Sequence, residues 1–80
     1  MSNADIKLKD ILAKVLLIDK NKISDGMSRK SVEEWDSMAH LMLVSEVEAA
    51  FEVAMSDDDI MEIQTVGDIK KILKNLSVTF

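Results

Sequence analysis

A serine and a histidine lie three residues apart in the middle of the chain, at Ser37 and His40. Side chains at this spacing meet on a helix surface, and a serine beside an imidazole base is a candidate nucleophile. A hydrolase also needs a group that orients the imidazole, and no glycine-rich turn precedes Ser37. A helical chain of 80 residues also offers little room for a substrate cleft. We therefore predict that the protein is not an enzyme, and we interpret His40 as a half-buried packing residue.

A calcium-binding loop is the second chemistry that the composition suggests, because the chain is acidic and contains six methionines. The candidate loop begins at Asp19 and has Asn21 at its third position. It has Ile23 at the fifth position, Ser24 where glycine is needed and Lys30 where the bidentate glutamate belongs. We therefore predict no metal site. A calcium-responsive helical protein stays an alternative, which a calcium-dependent spectral change would reveal.

Anion binding is the third possibility, and it also involves Ser37. A serine in the first turn of a helix lies beside unpaired backbone N–H groups and the positive end of the helix dipole, so a phosphate ester would be stabilised there. The alternative is that Asp36 or Ser37 only caps the helix. Capping does not account for Met38, Leu41 and Met42, which exceed what one core-facing stripe can use. Surplus methionine and leucine indicate a docking surface for partners.

The charge distribution restricts the partners. The net charge is −5, and residues 31–69 contain eleven acidic residues and no lysine or arginine. Such a field repels nucleic-acid backbones and anionic lipid and attracts basic protein surfaces. The charge could also serve only to keep a small domain in solution. Because of the repulsion, no nucleic-acid or membrane partner is expected.

Other features of the composition limit the class of protein. The chain has no cysteine, so neither a disulfide framework nor a thiolate metal site is available. No apolar run approaches the roughly 20 residues of a membrane span, and the N-terminus lacks the pattern of a signal peptide. We expect a single domain over residues 1–80 in the cytoplasm, with residues 1–4 disordered or tag-derived and residues 77–80 forming a tail.

Apolar periodicity predicts two long helices in the first two thirds of the chain. The first covers residues 5–18, with Asn3 as its cap, and the second covers residues 37–51. Residues 19–35 between them have weak periodicity and contain an Asp25-Gly26 turn signal. A loop this long in a small domain is usually functional or contains a short helix.

Two capping signatures follow, each a serine or threonine with an acid three residues later. Ser56 and Asp59 begin a short third helix that ends near Ile63, and Thr65 and Asp68 begin a fourth. Acidic residues in the first turn suit the helix dipole. No strand pattern competes, so the fold class is all-α: a four-helix bundle with three main helices, one short helix and a long first loop.

These residues resemble the acyl carrier protein family. Asp36-Ser37-Met38 is similar to the family's attachment motif, and the downstream "LVSEVEAAFEVAMSDDDIMEIQTVGDIKKIL" is similar to the family throughout. The resemblance covers residues 8–73. It implies a carrier, in which a phosphopantetheinyl transferase uses Mg²⁺ to move 4′-phosphopantetheine from coenzyme A onto Ser37. The thiol of that arm holds acyl groups as thioesters, which fits a chain without cysteine.

The resemblance also implies roles for other residues. Asp36 would help the transferase position the site. The side chains expected to face partner enzymes with basic docking patches are Met38, Leu41, Met42, Glu46, Glu48 and Glu52. The side chains expected to line the core or a chain-accepting cavity are Leu43, Val44, Val47, Phe51, Ile60 and Ile63. For this second group, plain core packing is the alternative. The carrier is expected to act as a monomer.

Positions at which the chain departs from the family pattern bear on which pathway the carrier serves. Glu34 and Trp35 replace a glycine and a small or apolar residue. Met42, Ala49 and Ala50 stand where carriers of fatty acid synthesis usually have acids. The pathway is thus fatty acid synthesis or, as these departures favour, a specialised lipid, polysaccharide or secondary-metabolite pathway. An aminoacyl or peptidyl carrier and an unmodified acidic helical adaptor stay open as alternatives.

Overall fold

The computed structural model describes residues 3–80 and confirms the all-α fold class. Within this range the chain has dimensions of 29 × 29 × 20 Å and contains no β-strand. Its α-helices are α1 (Asn3–Leu16), α2 (Ser37–Phe51), α3 (Asp57–Glu62) and α4 (Val66–Asn75). A 3₁₀ helix, Lys20–Lys22, lies in the first loop, as the length of that loop suggested.

Helix α1 differs from its predicted bounds at both ends. Asn3 lies inside the helix, so its prediction as the cap was wrong. At the other end Leu17 adopts left-handed backbone angles with φ of 56°, and the N–H of Ile18 donates to the carbonyl of Ala13 at 3.3 Å. This pattern is the Schellman motif, which ends the helix before Ile18. Met1 and Ser2 lie outside the described residues, whereas Ala4 is helical and buried.

Local capping explains where α3 and α4 begin, as predicted. The hydroxyl of Ser56 accepts from the N–H of Asp59 at 3.1 Å, and the carboxylate of Asp59 accepts from the N–H of Ser56 at 3.4 Å. Thr65 and Asp68 form the same reciprocal pair at 3.1 Å in both directions. Each capping box satisfies two N–H groups that a helix start would otherwise leave unpaired.

The core lies between α1, α2 and α4, and loop residues complete it. Loop side chains enter it at Trp35 and Met55, which are 3% and 8% exposed. The buried apolar residues of the helices are Ala4, Leu8, Ile11, Leu12, Leu16, Ala39, Leu43, Val44, Val47, Val66, Ile69, Ile72 and Leu73. The C-terminal residues predicted as a tail also pack on this core through Val78 and Phe80.

The long first loop is held against the start of α4. The carbonyl of Asp25 accepts from the N–H of Gly67 at 2.9 Å, and the carbonyl of Met27 accepts from the N–H of Val66 at 3.0 Å. A side chain at position 67 would bring a Cβ to 3.3 Å from that Asp25 oxygen, so glycine allows this close approach. Lys70 adds ion pairs to Asp5 at 2.9 Å and Asp25 at 2.6 Å. Backbone and side-chain bonds thus fix a segment that has little periodicity of its own.

None of the helices in the described part of the chain combines the length and the apolar character that crossing a bilayer requires.

Candidate functional site

Ser37 is the first residue of α2, and its side chain is exposed. Asp36 is the N-cap, with extended backbone angles (φ −88°, ψ −175°). Its Oδ1 accepts from the N–H of Ala39 at 2.8 Å, and its carbonyl accepts from the N–H of His40 at 2.9 Å. The capping alternative is therefore correct for Asp36, and this capping leaves the Ser37 hydroxyl at the open end of the helix.

The start of α2 can hold an anion. The N–H groups of Ser37 and Met38 are the first two of the helix, so they have no carbonyl one turn earlier to bond. The helix has 15 residues, and the positive end of its dipole lies at Ser37. A phosphate on the Ser37 oxygen would therefore meet backbone donors and a favourable field.

An exposed apolar surface adjoins the serine, as the excess of methionine and leucine predicted. Met38, Leu41 and Met42 are 73%, 64% and 53% exposed. Leu17 and Met61, at 81% and 73%, are further exposed large apolar residues that the sequence did not single out. Leu17 itself has the left-handed backbone conformation that ends α1, so its side chain leaves the apolar stripe of the helix. An open groove of about 290 Å³ runs between the end of α1 and the start of α2.

The three acids predicted to face partners lie in different environments. Glu46 forms an ion pair with Lys14 of α1 at 2.8 Å. Glu48 accepts from the backbone N–H of Met55 at 2.7 Å, so its carboxylate holds the chain after α2. Glu52 is exposed and ends α2 in left-handed conformation with φ of 54°. Two of these carboxylates thus have bonds within the fold.

His40 is buried rather than half-buried, at 5% exposure, so the prediction was wrong on this point. Its Nδ1 accepts from the indole N–H of Trp35 at 3.0 Å, and its Nε2 lies 2.9 Å from the carbonyl oxygen of Ile60. Both ring nitrogens are occupied by groups other than Ser37. Although Ser37 and His40 both lie on α2, the imidazole is bonded to Trp35 and Ile60, so the structure provides no Ser-His pair for hydrolysis.

The side chains predicted for the core or a chain-accepting cavity mostly pack in the interior. Leu43, Val44, Val47 and Ile63 are buried, with exposures of 1–5%. The remaining two, at positions 51 and 60, are partly buried against the same core.

A family model described as "Phosphopantetheine attachment site" matches residues 7–73. The chain belongs to this family. The match covers most of the chain and includes Ser37, the whole of α2 and α3, and most of α4. It confirms the resemblance to acyl carrier proteins, and it implies a covalently attached 4′-phosphopantetheine.

The residues predicted for the site fit that group. The Ser37 hydroxyl is exposed, the two N–H groups behind it suit a phosphate, and Asp36 satisfies the third N–H of the helix without covering the serine. Carrier proteins of the phosphopantetheine type generally present a bound group to other enzymes, and the phosphopantetheinyl transferase is the general partner that attaches the arm.

Proposed function

We propose that Ser37 receives the 4′-phosphopantetheine arm and that the protein carries acyl groups on it. The observation that carries this proposal is the exposed Ser37 hydroxyl at the first residue of α2, next to Asp36 and inside the region that matches the family. That region contains six serines. Besides Ser37, Ser24 lies in the first loop, Ser28 and Ser31 bond to each other, Ser45 lies in mid-helix, and the hydroxyl of Ser56 caps the six-residue α3.

The proposed attachment is a phosphoryl-group transfer. The Ser37 oxygen attacks the phosphorus of coenzyme A that bears pantetheine. The bond from that phosphorus to the bridging oxygen breaks, and 3′-phosphoadenosine 5′-phosphate leaves. The serine proton passes to a base of the transferase, which also supplies the Mg²⁺. Once attached, the arm supplies a thiol that forms thioesters with acyl groups.

The residues around Ser37 contribute binding and orientation to this step. The N–H groups of Ser37 and Met38 would donate to the phosphate oxygens at the helix N-terminus. Asp36 would hold the start of the helix through Ala39 and present its charge to the transferase. Met38, Leu41 and Met42 would supply apolar contact to partner enzymes, with Glu46, Glu48 and Glu52 as an acidic margin for basic docking patches.

Intact-protein mass spectrometry tests the attachment. The protein is incubated with coenzyme A, Mg²⁺ and a broad-specificity phosphopantetheinyl transferase. We expect a mass increase of one phosphopantetheine, absent in Ser37→Ala and retained in Ser45→Ala, a matched control because Ser45 is an exposed serine of the same helix. An adduct that persists in Ser37→Ala would contradict the proposal. No adduct with several transferases would favour the unmodified acidic adaptor.

We propose a specialised lipid, polysaccharide or secondary-metabolite pathway rather than general fatty acid synthesis. Support comes from α2, where Met42, Ala49 and Ala50 present no charge and Met42 is 53% exposed. Glu46 and Glu48 are partly engaged within the fold. The surface is therefore more apolar than a purely charge-steered docking face. The proposal includes action as a cytoplasmic monomer, which fractionation and size-exclusion chromatography would check.

Loading assays test the pathway. The modified protein is offered to malonyl, long-chain acyl and aminoacyl loading enzymes, and bound partners are identified by pull-down. We expect poor loading by the malonyl transferase of fatty acid synthesis. Efficient loading by that enzyme alone would contradict the specialised pathway, and selective aminoacyl loading would favour the aminoacyl or peptidyl carrier.

A further inference from the structure

The only tryptophan and the only histidine of the chain form a buried pair next to Ser37. Trp35 is 3% exposed and His40 is 5% exposed. The indole N–H donates to Nδ1 of His40 at 3.0 Å, and the rings are stacked with centroids 6.2 Å apart at an interplanar angle of 28°. The other ring nitrogen, Nε2, lies 2.9 Å from the carbonyl oxygen of Ile60 in α3. The pair thus connects the segment before α2, α2 itself and α3.

The two partners determine the protonation of the imidazole. An indole N–H can only donate and a carbonyl oxygen can only accept. His40 must therefore be neutral, with Nδ1 as the acceptor and the proton on Nε2. No other tautomer satisfies both buried partners. An aliphatic side chain would fill similar space without hydrogen bonds. The hydrogen bond between the two rings therefore fixes their relative orientation more narrowly than packing alone would.

Buried anchors flank the exposed residues Asp36, Ser37 and Met38, which we call the serine turn. Trp35 precedes the serine turn, and Ala39 and His40 follow it. The backbone N–H of Trp35 donates to the carbonyl of Val32 at 3.0 Å, so its main chain is held as well as its ring. The direction of the Ser37 hydroxyl therefore depends on two anchors that are bonded to each other through their side chains.

We propose that Trp35 and His40 are positioning residues that orient the Ser37 hydroxyl for phosphopantetheine transfer. This inference rests on the proposed function, in which Ser37 is the attachment residue. Both side chains are buried, so they act through the backbone of the serine turn and not by touching coenzyme A. The exposed residues that a transferase recognises are unchanged when the pair is altered. Misplacing an attacking atom slows the chemical step more than it weakens binding.

Three variants test the proposal. Trp35→Phe removes the indole N–H together with part of the ring, His40→Leu removes both ring nitrogens, and His40→Gln keeps an acceptor and a donor. Steady-state transfer of phosphopantetheine by the transferase is measured at saturating coenzyme A and Mg²⁺, with the concentration of the carrier protein varied. We expect kcat to fall roughly tenfold in Trp35→Phe, the scale of one lost buried hydrogen bond. The loss in His40→Leu should be at least as large, because that variant loses the bonds to both Trp35 and Ile60. We expect the KM of the transferase for each variant carrier to stay within about twofold of its value for the wild-type carrier. His40→Gln should recover most of kcat.

The same assay separates the two proposals. An unmodified wild-type protein would contradict the proposed function. A wild-type protein that is modified at Ser37, with variants of equal kcat, would overturn only the positioning role. The positioning role would also be overturned if the variants changed only KM. It would be overturned as well if His40→Gln were modified no faster than His40→Leu.

A stability control and a spectroscopic measurement complete the test. Leu73→Ala in α4 is a matched destabilised variant, since Leu73 is fully buried and is not part of the pair. It should keep wild-type kcat at a temperature where circular dichroism shows every variant folded, and an equal loss in Leu73→Ala would overturn the proposal. ¹⁵N NMR should show Nδ1 of His40 unprotonated and slow exchange of the Trp35 indole proton. The opposite tautomer or fast exchange would overturn it.

Discussion

Asp36 combines a structural bond with a charge, and two substitutions separate them. In Asp36→Ala the N–H of Ala39 loses the carboxylate that accepts from it at 2.8 Å. Replacing an N-cap aspartate by alanine lowers the free energy of unfolding by about 1 kcal/mol, within a range of roughly 0.5–2. For a domain of this size that loss lowers Tm by about 4–8 °C.

Asp36→Asn should behave differently. Asparagine is as good an N-cap as aspartate, so its amide oxygen can accept from Ala39 in the same geometry. Only the interaction of a charge with the helix dipole is lost, about 0.3–1 kcal/mol at an exposed position. We therefore expect a smaller Tm decrease than in Asp36→Ala, which loses both the cap bond and the charge. If the transferase recognises the charge, as we propose, both variants should be modified slowly.

Thermal unfolding by circular dichroism measures the first effect, and the rate of mass increase with coenzyme A measures the second. Equal Tm values for Asp36→Ala and Asp36→Asn would refute the capping argument. Wild-type modification of Asp36→Asn would refute the role of the charge, while leaving the cap intact.

Two further predictions concern stability. The hydrogen bond from Lys70 holds the pKa of Asp5 below its ordinary value of 3.8, so the contribution of this pair is complete above that value and is lost as pH falls through the lowered folded pKa. Acid unfolding should therefore be less steep in Asp5→Asn, and an unchanged acid titration by circular dichroism would contradict this. Leu17→Gly should raise the free energy of unfolding by about 0.5–1 kcal/mol, because glycine avoids a Cβ penalty of about 1–2 kcal/mol in the left-handed conformation but loses more conformational entropy on folding. Urea denaturation measures this change, and a destabilised Leu17→Gly would show that the turn is not strained.

The four helices could be predicted from sequence because their signals are local. Ser56 with Asp59 and Thr65 with Asp68 are three residues apart, and that spacing alone places each side chain at the N–H it accepts from. The start of α2 at Ser37 followed from the same kind of signal. The end of α1 did not, because the left-handed conformation of Leu17 has no glycine to mark it.

The candidate attachment serine was also identified from sequence, through the Asp36-Ser37-Met38 motif and its spacing to the later helices. The matched family model confirms the family, and the role of Ser37 itself stays a prediction. Exposed Met38 and Leu41 agree with the predicted excess of apolar residues on α2. The bonds of Glu46 to Lys14 and of Glu48 to Met55 depend on how the chain folds back, so no sequence pattern indicates them.

By itself, then, the sequence determined the all-α class, the helix caps, the acidic middle of the chain and the serine at the start of α2. Each of these depends on composition or on residues within one helical turn. Only the tertiary structure decided that His40 points away from Ser37 and is buried between Trp35 and the carbonyl of Ile60. The reason is physical: a hydrogen bond between residues twenty positions apart forms only when packing brings α3 against α2 and excludes water from both groups.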